Sequence, residues 1–246
     1  MRARSVAAVL ALAVLGSACR GALKPEYEYE EELYLALDGS ATLYVNASVP
    51  ALAALRGIDH DVNPRARFDR ARIRAAFEGP NVKVSTPTSS RRHGRRFVHV
   101  RVDAPRLADL QKLAPLSWSS YNLSLRGDVF QFRQVVGAPE GKPVGNVGWT
   151  GAEIVAFRMH LPSRISHHNS KDGVQRGNIL GWEQPLTARL AGRPLEIRAD
   201  MARESILAHT LLLFGSTIVA AAMTFALVLW WIARKGRASE MAESRP

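Results

Sequence analysis

The chain has 246 residues, with 33 Lys or Arg against 22 Asp or Glu and a formal net charge of +11. Its 1 cysteine excludes an intramolecular disulfide framework, so the fold must rest on an ordinary apolar core. The positive balance does not point to nucleic acid, because the basic stretches lack interleaved aromatics and the chain ends mark the domain for export.

Arg2 and Arg4 precede the apolar stretch Val6–Leu15, and Gly16, Ser17 and Ala18 follow it. This is the layout of a secretory signal over residues 1–18. The next residue is Cys19. The stretch Leu15-Gly16-Ser17-Ala18-Cys19 resembles the lipobox of bacterial lipoproteins, with Gly16 where that motif usually has an apolar residue. The resemblance implies lipidation at Cys19. The alternative is an ordinary cut after Ala18 that leaves a lone thiol. Residues 19–205 then form the exported domain, long enough for one substantial core or two small ones.

Residues Arg20 to Pro25 read as a tether. From Glu26 the chain alternates: Tyr27, Tyr29, Leu33, Leu35 and Leu37 share one parity, and Glu26, Glu28, Glu30 and Glu32 the other. After Asp38-Gly39, residues Leu43, Val45, Ala47 and Val49 alternate with Thr42, Tyr44, Asn46 and Ser48. Two period-two runs joined by Asp-Gly predict a hairpin, with Leu35 and Leu37 on the buried face of Leu43 and Val45. Ala51 to Arg56 predicts a short helical turn stopped by Gly57. Asn63-Pro64 opens a predicted helix that runs to Gly79-Pro80 and carries Arg65, Arg67, Arg70, Arg72 and Arg74. Asn81–Pro87 and Arg95–Asp103 predict a second hairpin. Its linking loop carries the run Arg91-Arg92-His93-Gly94-Arg95-Arg96.

Pro105 opens a second predicted helix containing Leu107, Leu110 and Leu113. Further strands are predicted around Tyr121–Leu125, Phe130–Phe132, Ile154–Leu161, Asn178–Gln184 and Pro194–Met201. A glycine-rich loop, Gly137–Gly151, and a polar loop, Pro162–Arg176, separate them. About nine strands and two main helices, mostly joined by hairpins, give an α+β fold with a mostly antiparallel sheet.

The last feature is the most decisive. Ile206–Ala233 contains no Asp, Glu, Lys or Arg. A helix of that length crosses a ~30 Å hydrocarbon layer with room for tilt. Trp230 and Trp231 close the run, and Arg234 and Lys235 follow. Interfacial tryptophans and then cations place residues 234–246 in the cytoplasm and the domain outside it, on a single-pass cell-membrane protein. Within that domain Arg65, Arg67, Arg70, Arg72, Arg74, Arg91, Arg92, Arg95 and Arg96 concentrate positive charge. The expected partner is the anionic lipid surface, each nearby cation contributing about 1 kcal/mol. The bland reading is a solvated arginine-rich face.

No motif of nucleophilic, phosphate-binding or zinc-dependent catalysis is present, and no cofactor is implied. Asp59-His60-Asp61 and His167-His168 lack the three or four convergent ligands that a metal needs and read as exposed loops. Trp182 reads as core. Trp149 either packs back onto its own domain or meets a ligand or membrane surface. Gly215, Ser216 and Ala220–Ala222 in the anchor would permit close helix approach.

In order along the chain stand Cys19, the hairpin Leu33–Val49 with its Asp38-Gly39 turn, the strand Gly177-Asn178-Ile179-Leu180-Gly181-Trp182, the strand Pro194-Leu195-Glu196-Ile197-Arg198-Ala199, and one C-terminal anchor. This layout resembles the LppM-type family of bacterial envelope lipoproteins. The resemblance implies a non-enzymatic extracytoplasmic domain that holds lipid or glycolipid, and it transfers no catalytic residue. The alternative is an accessory domain that holds a protein partner beside the membrane.

Overall fold

The computed structural model describes residues 25–243. The signal segment and Cys19 lie outside the described residues. Strand β1 (Glu26–Leu35) pairs antiparallel with β2 (Ala41–Ser48), Leu33 facing Leu43 and Leu35 facing Ala41. The joining turn closes through Ala36 N–H to Ser40 O at 2.9 Å, and Asp38 accepts from the Ser40 amide and hydroxyl. Leu33, Leu35, Leu43 and Val45 are buried, as the alternation predicts, and Leu37 is half-buried against the same core. Helix α1 (Val49–Arg56) follows at once, with Ser48 as its N-cap and Gly57 in the left-handed region at φ 67° as its stop.

The predicted helix from Asn63 is shorter than its sequence implies. Helix α2 covers Arg70–Phe77 and starts at Asp69, whose carboxylate accepts the Arg72 N–H at 3.0 Å. Upstream, the Asn63 side chain closes a turn onto Arg65 N–H. The Arg96 guanidinium takes the Pro64 and Ala66 carbonyls, at 2.8 and 2.5 Å. These bonds pin the Pro64–Ala66 segment to β5, and the helix begins only at Arg70. Arg65 and Arg67 therefore sit on an irregular segment.

Strands β3 (Lys83–Val84) and β4 (Thr88–Arg92) both pair with β5 (Arg95–Ala104), which also pairs with β2. The expected basic loop is thus a tight hairpin turned at His93-Gly94. The leucines after Pro105 form two 3₁₀ helices, Leu107–Lys112 and Ala114–Leu116, rather than one α-helix. Leu107, Leu110, Leu113 and Leu116 recur every third residue, and all four are buried. Three residues per turn aligns them on one face, whereas 3.6 would spread them.

Strands β6 (Ser119–Arg126) and β7 (Val129–Val136) form a hairpin. Strand β8 (Glu153–His160) then returns to the first sheet and lies parallel to β1, Glu26 opposite Glu153 and Tyr34 opposite His160. This sheet is mixed, which corrects the expectation of hairpins throughout. Val155, Ala156, Phe157 and Met159 of β8 are buried in this central position. Strand β9 (Ser163–His168) occupies part of the expected polar loop, its polar side chains suiting an edge position. Strand β10 (Ile179–Pro185) pairs with β8, helix α3 (Leu186–Leu190) follows, and β11 (Leu195–Ser205) lies between β7 and β9. The first sheet runs β10-β8-β1-β2-β5-β3 with β4 also on β5, and the second runs β6-β7-β11-β9. One core cluster joins them, with Tyr29, Leu43 and Phe157 from the first sheet and Phe132, Val136 and Ile197 from the second. Helix α4 (Ile206–Glu243) begins at the residue after β11 ends.

Candidate lipid-contact surface

Two basic regions lie at different ends of the domain. The first is the predicted one. Arg65, Arg67, Arg70, Arg72, Arg74, Arg91 and Arg92 are exposed. Arg72 pairs with Asp59, and Arg74 with Glu78 at 3.1 Å. Among the described residues Arg65, Arg67, Arg70, Arg91 and Arg92 make no ion pair. Arg96 tethers the Arg65–Arg67 segment to the base of the β4–β5 hairpin, so the two stretches do lie side by side.

Arg95 and Arg96 depart from the expectation of a loop carrying four exposed arginines. Both are buried in the first residues of β5. Arg95 donates to Glu28 at 2.9 Å and to the Gly148 carbonyl at 3.0 Å, and also bonds Glu26. The Trp149 indole N–H reaches the other oxygen of Glu28 at 3.0 Å, so this loop tryptophan packs back onto its own domain. A fully buried carboxylate needs such partners to stay charged. Arg95 and Arg96 are held inside, the one by Glu26 and Glu28, the other by backbone carbonyls.

The second basic region, at the start of α4, was not legible from local sequence. Pairing brings it together: β11 is flanked by β7 and β9, so the β6–β7 turn, the start of β9 and the end of β11 converge. Arg203 N–H bonds the Asp128 carbonyl at 2.9 Å, and Ile206 N–H bonds the Pro162 carbonyl at 3.2 Å. Exposed Arg126, Arg164 and Arg203 gather there. A groove of about 610 Å³ is lined there by Arg164 and Arg203 together with Asp128 and Glu204. In the sequence these three arginines are scattered over 78 positions and form no run.

Helix α4 itself presents Thr210–Ile232 as an apolar span, long enough to cross a membrane, with its side chains outside any protein packing. Trp230 and Trp231 are about half exposed, and the Arg234 guanidinium lies over the Trp230 ring at 5.2 Å. Lys235 continues the helix backbone.

The interior holds one more polar centre. Glu31 sits on the apolar parity of β1, only 2% exposed, and accepts from Tyr29 at 2.7 Å, Tyr121 at 3.2 Å, Trp118 at 3.4 Å and Gln134 at 3.5 Å. Arg56 and Arg189 place their guanidiniums 4.4 and 4.8 Å from the Trp118 ring centre. Burial pushes Glu31 above the usual carboxylate range, and its donors and Arg56 offset only part of this. Burial likewise raises Tyr29 and Tyr121 and lowers both arginines. Perturbed groups of this kind mark active sites as well as structural networks. Here every Glu31 oxygen is already taken by protein donors, which leaves it no lone pair aimed at a substrate. Among the described residues no group of three or more His, Cys, Asp or Glu is placed to hold a metal.

No protein-family model matches the chain, and no curated protein matches it. Among solved structures, the chain is similar to the NMR structure of the folded domain of the Mycobacterium tuberculosis LppM protein. The identity is 12% and the TM-score 0.43, over 74% of this chain and 94% of that one. A likeness at this level assigns neither family nor function.

Proposed function

We propose that this chain is a single-pass membrane protein whose extracytoplasmic domain contacts lipid or glycolipid and performs no catalysis. The observation that carries the reading is the direct passage of β11 into the apolar helix. Ser205 ends the strand, Ile206 starts the helix, and the apolar span begins at Thr210. Four helical residues rise about 6 Å, so the arginines at the root stand at headgroup depth. Guanidinium forks bind phosphate in two-point fashion, which suits Arg126, Arg164 and Arg203 to that layer.

Native mass spectrometry of the detergent-extracted full chain tests this. The expected result is retained phospholipid or glycolipid, with the load falling when Arg126, Arg164 and Arg203 are all replaced by Ser. A lipid-free parent, or an equal load in the variant, would contradict the reading.

A further inference from the structure

The strand pairing fixes where the predicted basic patch lies relative to the anchor. Strand β8 runs beside β1 from Glu153, opposite Glu26, to His160, opposite Tyr34. Pro162 follows, and its carbonyl holds the first amide of the anchor helix. The anchor therefore starts at the Tyr34 end of the sheet. Arg95 bonds Glu26 and Glu28, and Arg92 pairs with Arg95 across the hairpin. The hairpin therefore turns at the Glu26 end. At about 3.3 Å per residue, the two ends are about 25 Å apart along the strands alone. Charges are screened over about 8 Å at physiological ionic strength, so the patch stands several screening lengths from the root of the helix.

The patch is built for an anionic partner all the same. Arg91 and Arg92 flank an exposed turn, and Arg65, Arg67 and Arg70 lie on the neighbouring segment, none of the five in an ion pair among the described residues. Half-buried Phe68 lies between them, with the Arg96 and Arg70 guanidiniums 5.6 and 6.0 Å from its ring. The guanidiniums stand on two neighbouring elements, the Arg65–Arg70 segment and the β4–β5 hairpin. A plane of phosphates touches both elements at once, whereas a single threaded chain would follow a groove.

We infer that this distal patch, Arg65, Arg67, Arg70, Arg91 and Arg92, binds an anionic phospholipid surface other than the bilayer that holds the anchor. The inference rests on the lipid-contact reading above and adds its direction: contact in trans, away from the root.

The test uses the full chain in phosphatidylcholine nanodiscs. A dye is placed at Ser89→Cys, next to the hairpin, in a Cys19→Ser background. A headgroup quencher is put either in the disc or in acceptor vesicles rich in phosphatidylglycerol. The expected result is capture of the acceptor vesicles with quenching from the acceptor only. Replacing the five arginines by Ser should cut capture at least about tenfold, given the contribution of each cation near an anionic surface. Replacing them by Lys should keep most of it, which separates lost charge from a damaged fold. Quenching from the disc itself would overturn the trans direction and leave the lipid reading standing. No quenching from either side, with no lipid retained in the native mass spectrum, would overturn both. Binding of soluble polyphosphate without vesicle capture would overturn the membrane as partner in favour of a polyanion.

Discussion

Glu31 is an ionisable group in the centre of the core, held by four hydrogen-bond donors with the Arg56 charge nearby. Removing it would strand the Tyr29 and Tyr121 hydroxyls, the Trp118 indole and the Gln134 amide, and would take from Arg56 and Arg189 a nearby negative charge. Glu31→Ala should therefore lower stability by about 3 kcal/mol or more, measured by urea unfolding. The pH dependence has a definite sign. Burial raises the folded-state value above the ordinary 4.5, so on acidification the folded protein takes up this proton before the unfolded chain does. The parent should gain stability relative to Glu31→Gln as pH falls from neutral towards that ordinary value. A pH-independent difference, or one of opposite sign, would contradict it. Asp103 acts the other way. Burial would raise it, but hydrogen bonds from Arg101 and Thr42 and the Arg101 charge bring it below its usual value, so its contribution is lost at lower pH. The sequence held a trace of the centre: Glu31 falls on the parity of Tyr29, Leu33 and Leu35, which a surface glutamate has no reason to do. It did not hold the partners, because Trp118, Tyr121 and Gln134 arrive from other elements. The arginine run shows the same limit. Nothing local separates exposed Arg91 and Arg92 from buried Arg95 and Arg96; distant partners make that distinction, the glutamates of β1 for Arg95 and the Pro64 and Ala66 carbonyls for Arg96.

At the scale of elements, the glycine-rich loop is held against the carbonyl end of α1. Glu140 N–H bonds the Leu55 carbonyl at 3.1 Å, and Lys142 N–H bonds the Ala53 carbonyl at 3.3 Å. Gly141 lies between them, where an added Cβ would stand 2.1 Å from the Ala54 oxygen and 2.3 Å from the Ala53 oxygen. Both obstacles are backbone, so neither can swing aside. Gly141→Ala should cost about 3 kcal/mol, with a matching drop in melting temperature. An unchanged melting curve would show that the loop does not dock as described. The hairpins were legible because their signals are local: alternation, Asp-Gly, Gly-Asp. The parallel β1–β8 pair was not, since nothing within either strand specifies a partner some 120 residues away. The leucine repeat was legible as a buried face but not as a 3₁₀ helix. A spacing of three also fits one face of an α-helix over a single turn, so the repeat alone does not distinguish the two kinds of helix.

For the whole molecule, the chain ends carry most of the information. The apolar span needed only composition and length to be found, and the structure adds that no linker separates it from the folded domain. That junction sets which arginines stand near the start of α4 and which stand far from it, a distinction absent from a count of net charge. The proposed topology puts residues 25–205 outside the cytoplasm, the span in the membrane, and the tail after it inside. Protease added to intact bacterial spheroplasts expressing the full chain with a tag at Pro246 tests it most directly. The expected result is digestion of the domain, with the tag surviving on a short membrane-protected fragment. A protected domain, or loss of the tag before the membrane is breached, would contradict the account.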